Sequence, residues 1–192
     1  MWTSNKKQYL FFLLIVLFIG VVGGVFFLQY MGESSKEIVL SNINEWVMKI
    51  EGVHVNYILS HMLILSMFLV IASFFIGMPL YIFYLFYNGF SIGFIVSSLG
   101  AIFGFKGIVY SFLYILVTKG IYLFFLLFFL FFLIRIGEKV FLRVIRREKG
   151  NGDIIHFLYK KSLLVFAIIF VNDVFLYFLG GKILNIFSFL LG

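Results

Sequence analysis

Lys119 stands in Leu116-Val-Thr-Lys-Gly-Ile-Tyr-Leu123 and Asp173 in Val171-Asn-Asp-Val174, and both stretches are embedded in runs of Phe, Leu and Ile. An ammonium or a carboxylate in hydrocarbon costs at least ~2.5 kcal/mol on insertion scales, so each must face protein or water and find a partner. At 1.5 Å per residue, Lys119 lies about 18 Å along a helix begun at Gly107, and Asp173 about 10 Å from a helix end at Gly180. The lysine stem can snorkel across the offset between them. The expectation is a buried Lys119–Asp173 ion pair that locks two helices, with Asn172 or Thr118 completing the hydrogen bonds. A polar pocket that handles a solute and a lone snorkelling lysine are the alternatives.

Little else in the chain suggests chemistry. His54, His61 and His156 are scattered and form no HExxH or HxxxH pattern, so no metal site is expected. There is no GxSxG elbow and no P-loop, so no catalytic residue or cofactor is expected either. The chain has no cysteine, which excludes disulfides, thiol catalysis and thiolate metal sites.

The elements that position the two charges are dictated by composition. Of 192 residues, 64% are hydrophobic and only 12% charged, with 29 Phe and a mean hydropathy of +1.16. Soluble domains carry roughly twice that share of charge. The chain reads as an all-α integral membrane protein, one domain over residues 1–192. The net charge of +7 points to anionic lipid headgroups and topology rather than to nucleic acid.

A helix needs about 20 apolar residues to cross a bilayer core. Residues 8–31 form the first span. They are too long for a signal-peptide core and are followed by no small-residue cleavage motif, so the span is expected to be retained. The apolar stretch Tyr57–Phe103 suits two helices, broken at Gly77-Met-Pro79, where the chain's one proline disfavours helix in the preceding residue. Spans are thus expected at about 57–77, 79–103, 107–134 and 162–179, five in all.

Charges orient the bundle. Lys6 and Lys7 precede the first span, and Arg135–Lys161 carries Arg135, Lys139, Arg143, Arg146, Arg147, Lys149, Lys160 and Lys161 against three acids. The segment 32–56 has Glu33, Glu37, Glu45 and Glu51 against Lys36 and Lys49. The positive-inside rule puts the N-terminus and the basic loop in the cytoplasm, and five spans place both on one side. Arg143, Arg146, Arg147 and Lys149 are expected to anchor that loop on anionic lipid. Docking of a cytoplasmic partner is the sharper alternative.

Val39, Ile43, Trp46, Val47 and Ile50 recur at i, i+4, i+7, i+8 and i+11, one face of a helix. Ser34 or Ser35 is expected to cap it. This helix either lies in the outer interface or packs back on the bundle. The tail Lys182–Gly192 is apolar but too short to cross. Gly20-Val-Val-Gly-Gly24 and Gly89-Phe-Ser-Ile-Gly93 both fit GxxxG, whose small residues let helix backbones approach. Packing within the chain is the expected use of Gly20, Gly24, Gly89 and Gly93, and a homo-oligomer face the alternative.

Gly77-Met-Pro79, Gly89-Phe-Ser-Ile-Gly93-Phe94 and Lys106-Gly107 together resemble the core of the stage II sporulation protein M family. That core has a Gly-x-Pro break, a Gly-x-x-x-Gly-Phe helix, a short loop and a helix ending in a polar patch. The resemblance covers about 50 residues closely, and the first span, outer helix and basic loop fit it in order. At the patch, family members read like Pro-His-Gly with a nearby Glu, or Pro-Gln-Asn. This chain has Thr118-Lys119-Gly120, keeping the glycine but putting lysine where His or Gln would stand. The resemblance implies a non-enzymatic scaffold in the bacterial cytoplasmic membrane that anchors or recruits a peptidoglycan-remodelling complex, as in engulfment during sporulation. Related proteins accompany exporters and circular-bacteriocin clusters, so a transporter component, or a bacteriocin export or immunity component working with an ATP-binding-cassette subunit, is the alternative.

Overall fold

The computed structural model describes residues 3–48, 55–72, 77–145 and 152–183, and of these all but Met31, Gly32 and Ala72 are helical. The helices are α1 (Thr3–Tyr30), α2 (Glu33–Met48), α3 (Val55–Ile71), α4 (Gly77–Ile115), α5 (Ile121–Ile145) and α6 (Gly152–Phe175). A π-helical turn, Leu116–Gly120, joins α4 to α5, and a second, Leu176–Gly180, follows α6. No strand occurs among the described residues. Three stretches are long and apolar enough to cross a membrane: Lys7–Tyr30, Gly77–Val144 and Gly152–Ile183. The apolar α3 is shorter. Large side chains such as Phe11, Phe18, Phe83, Phe112 and Phe178 point outward, as a hydrocarbon solvent permits.

The stretch Gly77–Val144 has 68 residues, about 100 Å of continuous helix and some three bilayer cores. It does not run straight. Gly104 has φ 61° and ψ −139°, a conformation that only glycine adopts at little cost. There the chain doubles back, so that Leu99 meets Gly107, Ser91 meets Lys119 and Tyr84 meets Tyr122. Each pair straddles Gly104 about evenly, as an antiparallel hairpin requires. The sequence placed this turn near Lys106, two residues on.

Pro79 lies in the first turn of α4, where its missing N–H removes no helical bond. The Tyr81 hydroxyl donates to the Phe68 carbonyl (3.0 Å), which also accepts from the Ala72 N–H (2.9 Å). The end of α3 is thus tied to the start of α4. A core of Leu65, Phe68, Leu85, Leu126, Phe129, Leu130, Leu133 and Ile169 fills the space between α3, α4, α5 and α6.

The expected cap of α2 needs correction. Helix α2 begins at Glu33, and its first helical bond runs from the Lys36 N–H to the Gly32 carbonyl (2.9 Å). Gly32 therefore holds the cap position, and Ser34 and Ser35 lie inside the first turn. Beyond the expected span end at Ile134, α5 continues as helix to Ile145. Ile134, Ile136 and Gly137 keep an inward face there, and Arg135, though charged, is buried against the bundle. Of the expected lipid anchors, Arg143 is helical and exposed, and Arg146, Arg147 and Lys149 lie outside the described residues. Helix α6 starts at Gly152, ahead of the expected span start near Ser162, with Asp153 in its first turn where the helix dipole favours an acid.

Candidate functional site

The first arm of α4, residues 77–103, carries two different faces. One holds Gly89 and Gly93 and lies against α1. A Cβ on Gly93 would overlap the Val21 carbonyl oxygen, and one on Gly89 the Leu17 carbonyl oxygen. Reciprocally, a Cβ on Gly20 would overlap the Phe86 oxygen, and one on Gly24 the Phe90 oxygen. The two GxxxG motifs therefore pack on each other, backbone on backbone, with α1 and this arm running parallel. This glycine stripe is used within the chain and is not left for a second copy.

The other face holds Tyr84, Asn88 and Ser91, spaced i, i+4 and i+7, and looks into the bundle. Tyr84 and Tyr122 share a hydroxyl–hydroxyl hydrogen bond (3.1 Å). Asn88 Nδ2 donates to the Tyr84 carbonyl (2.9 Å). Lys119 Nζ, in the first π turn, donates to Ser91 Oγ (2.8 Å). Thr118 donates back to the Tyr114 carbonyl (2.7 Å), so its hydroxyl serves its own helix.

The acid is elsewhere. Asp173 Oδ2 lies 2.5 Å from His61 Nδ1, and the two residues are 3% and 5% exposed. The expected Lys119–Asp173 pair is not made. His61, on α3, reaches Asp173 directly from the helix packed beside α6, whereas Lys119 is turned toward the other arm of its own hairpin. Asn172 is buried, and its Nδ2 has no partner among the described residues, so it does not complete the pair as expected. The His61 and Tyr122 rings meet edge to face with centroids 4.8 Å apart, and Tyr57 stacks on His61 at 5.6 Å. His61 Nε2 is buried and finds no acceptor or donor among the described residues.

Five elements thus converge on one polar site: α3 with Tyr57 and His61, α4 with Tyr84, Asn88 and Ser91, the first π turn with Lys119, α5 with Tyr122, and α6 with Asp173. Both π turns belong to it. Lys119 lies in the first, the second starts three residues after Asp173, and the turns touch each other. Such turns interrupt the regular ladder and recur at functional positions. The sequence missed His61 because its charge is conditional and only permanent charges were paired. The available signal was Tyr57 and His61 at i and i+4 in a run with no other ionisable group except phenols.

At the opposite end of the bundle, Arg135 is 7% exposed, bonded to Glu138 (2.9 Å), with its guanidinium 6.0 Å from the Tyr9 ring centre. A cleft of about 230 Å³ opens there between Tyr9, Tyr81, Ile134, Gly137 and Glu138. Near the hairpin tip, Ile43 of α2 packs on a small cluster of Leu99 and Tyr110 with Ile95, Phe103 and Tyr114. Val39 and Ile43 are half-buried. Trp46 and Val47 belong to α2, but their side chains, like Ile50, lie outside the described part.

No group of three or more metal-binding side chains gathers among the described residues. Comparison of the chain with family models, with curated proteins and with solved structures finds no match.

Proposed function

We propose that this chain is a five-span, non-enzymatic scaffold of the bacterial cytoplasmic membrane that anchors or recruits a cell-envelope complex, similar to stage II sporulation protein M. The observation that carries the reading is the seat of α2. Ile43 holds it on the hairpin tip, while Glu37, Ile38, Ser41 and Glu45 are exposed as a ready contact face. The order of breaks and glycine motifs in the sequence supports the family likeness, and the glycine seam between α1 and α4 supports a rigid frame. The five spans are α1, α3, the two arms meeting at Gly104, and α6. Charge distribution supports the orientation: Arg135, Lys139 and Arg143 cluster where α5 ends, the end at which α1 begins, and Glu33, Glu37 and Glu45 gather at the other. Arg143 is then placed to meet anionic headgroups.

The second reading, a membrane component of a transporter or of a bacteriocin export or immunity system, is favoured by the polar site. Lys119 bonds to a hydroxyl instead of neutralising Asp173, so no Lys119–Asp173 bridge fastens the bundle.

Two measurements test the proposal. Cysteines placed singly at Ser41 and Asp153 are expected to label from opposite sides of the membrane, Ser41 from outside with an impermeant reagent. Labelling of both from one side contradicts the five-span arrangement. A photo-crosslinker at Ile38 is expected to capture a peptidoglycan hydrolase or its partner in intact cells. Capture of an ATP-binding-cassette subunit instead moves the assignment to the second reading.

A further inference from the structure

We propose that His61 and Asp173 form an intramembrane proton site, which binds and releases one exchangeable proton at His61 Nε2. The geometry shows the carboxylate on Nδ1 at 2.5 Å, both groups buried, and Nε2 without a partner among the described residues. Proton bookkeeping then leaves few states. With a single proton in the dyad, Nδ1–H donates to the carboxylate, Nε2 is bare and the pair carries one negative charge. A second proton makes the pair neutral overall, either as imidazolium beside carboxylate or as neutral imidazole accepting from a carboxylic acid. In both neutral forms Nε2 carries hydrogen. Hydronium delivers that proton to the Nε2 lone pair and leaves as water; release runs the same step backward.

The surroundings decide which state is favoured. A buried net charge is costly unless it is compensated. The groups around His61 from each packed element are Tyr57 on α3, Tyr84 on α4, Tyr122 on α5 and Asp173 on α6. Tyr87 and Tyr114 lie near Tyr57. All but Asp173 are phenols, which bring no charge at neutral pH. The cation of the site, Lys119, bonds to Ser91. Among the described residues no fixed positive charge touches the carboxylate, so the second proton itself supplies the neutralising charge. A Lys119–Asp173 bridge would have removed any need for it.

The test uses the full chain in lipid nanodiscs with ¹⁵N-labelled imidazoles. His54→Gln and His156→Gln leave His61 as the sole histidine. The pH is scanned over the range in which an imidazole ordinarily titrates, roughly pH 5–8. Nε2 is expected to move from a bare, pyridine-like to a proton-bearing, pyrrole-like shift as the pH falls, and Asp173→Asn is expected to displace that transition. An Nε2 signal fixed in one form across the range and slow to exchange in D₂O overturns the proposal, as does a transition indifferent to Asp173→Asn. If the single-histidine chain does not fold, the same signal is read in the wild type as the resonance lost in His61→Gln. If Asp173→Asn does not fold, the pH response of His61 alone decides.

Discussion

The two faces of the first α4 arm solve opposite problems within one helix. Toward α1, Gly89 and Gly93 bring main chains together, with no side chain between them. Toward α3, α5 and α6, Tyr84, Asn88 and Ser91 make their own hydrogen bonds, and Tyr122, bonded to Tyr84, meets the ring of the buried dyad. In lipid, apolar burial does not drive helices together, so association rests on close packing and on hydrogen bonds. The glycine seam uses the first and the polar site the second. The seam has no slack, because any added atom meets backbone. The site has slack in abundance: hydroxyls rotate, Lys119 has spare donors and the buried Nε2 has no partner among the described residues. The difference teaches that the seam is the frame and the site the part able to change state.

The largest expected effect comes from breaking the seam. Gly93→Leu drives a side chain into the Val21 carbonyl, which cannot yield as a flexible side chain would. Overpacking in soluble cores costs about 1–3 kcal/mol, and the loss here is expected at or beyond the top of that range. Most of the monodisperse fraction in detergent gel filtration should disappear. Near-normal yield would mean that α1 is not clamped on α4. A mid-sized effect is expected at the hairpin. Gly104→Ala meets no atom within 4 Å, so its cost is purely conformational, about 1–3 kcal/mol, read as a lowered melting temperature. An unchanged melting temperature would place the reversal elsewhere. The smallest effect is expected at the site's lysine. Lys119→Met loses one hydrogen bond, typically ~0.6 kcal/mol in membrane proteins and at most about 1.7. Relief from holding a half-buried charge offsets that loss, so the melting temperature should barely move.

The seam could be read from the sequence and the site only in part, for a physical reason. GxxxG acts through spacing alone, and any helix that carries it presents a cleft wherever it packs. Gly20, Gly24, Gly89 and Gly93 therefore pointed to their use before any partner was known. The hairpin was legible to within two residues, since glycines and Lys106 interrupt an otherwise apolar run. The polar site depends on rotation about helix axes. Lys119 and Asp173 are at compatible depths, but depth does not say which way each faces. Lys119 faces Ser91 across its own hairpin, and Asp173 faces α3. Hydropathy falls at Arg135, yet α5 runs on past the expected span end because its inward face, Ile134, Ile136 and Gly137, stays apolar.

The central claim is that Asp173 is held by His61 and not by Lys119. Two double-mutant cycles measured by unfolding in bicelles decide it most directly, one combining His61→Leu with Asp173→Leu, the other Lys119→Met with Asp173→Leu. Residues in contact couple by roughly 0.5–3 kcal/mol, and independent sites add to within about 0.5. The expected result is a coupling of at least ~1 kcal/mol for His61 with Asp173, the double variant regaining much of what either single change loses, and near-additivity for Lys119 with Asp173. Strong coupling of Lys119 with Asp173 and none with His61 would contradict the account.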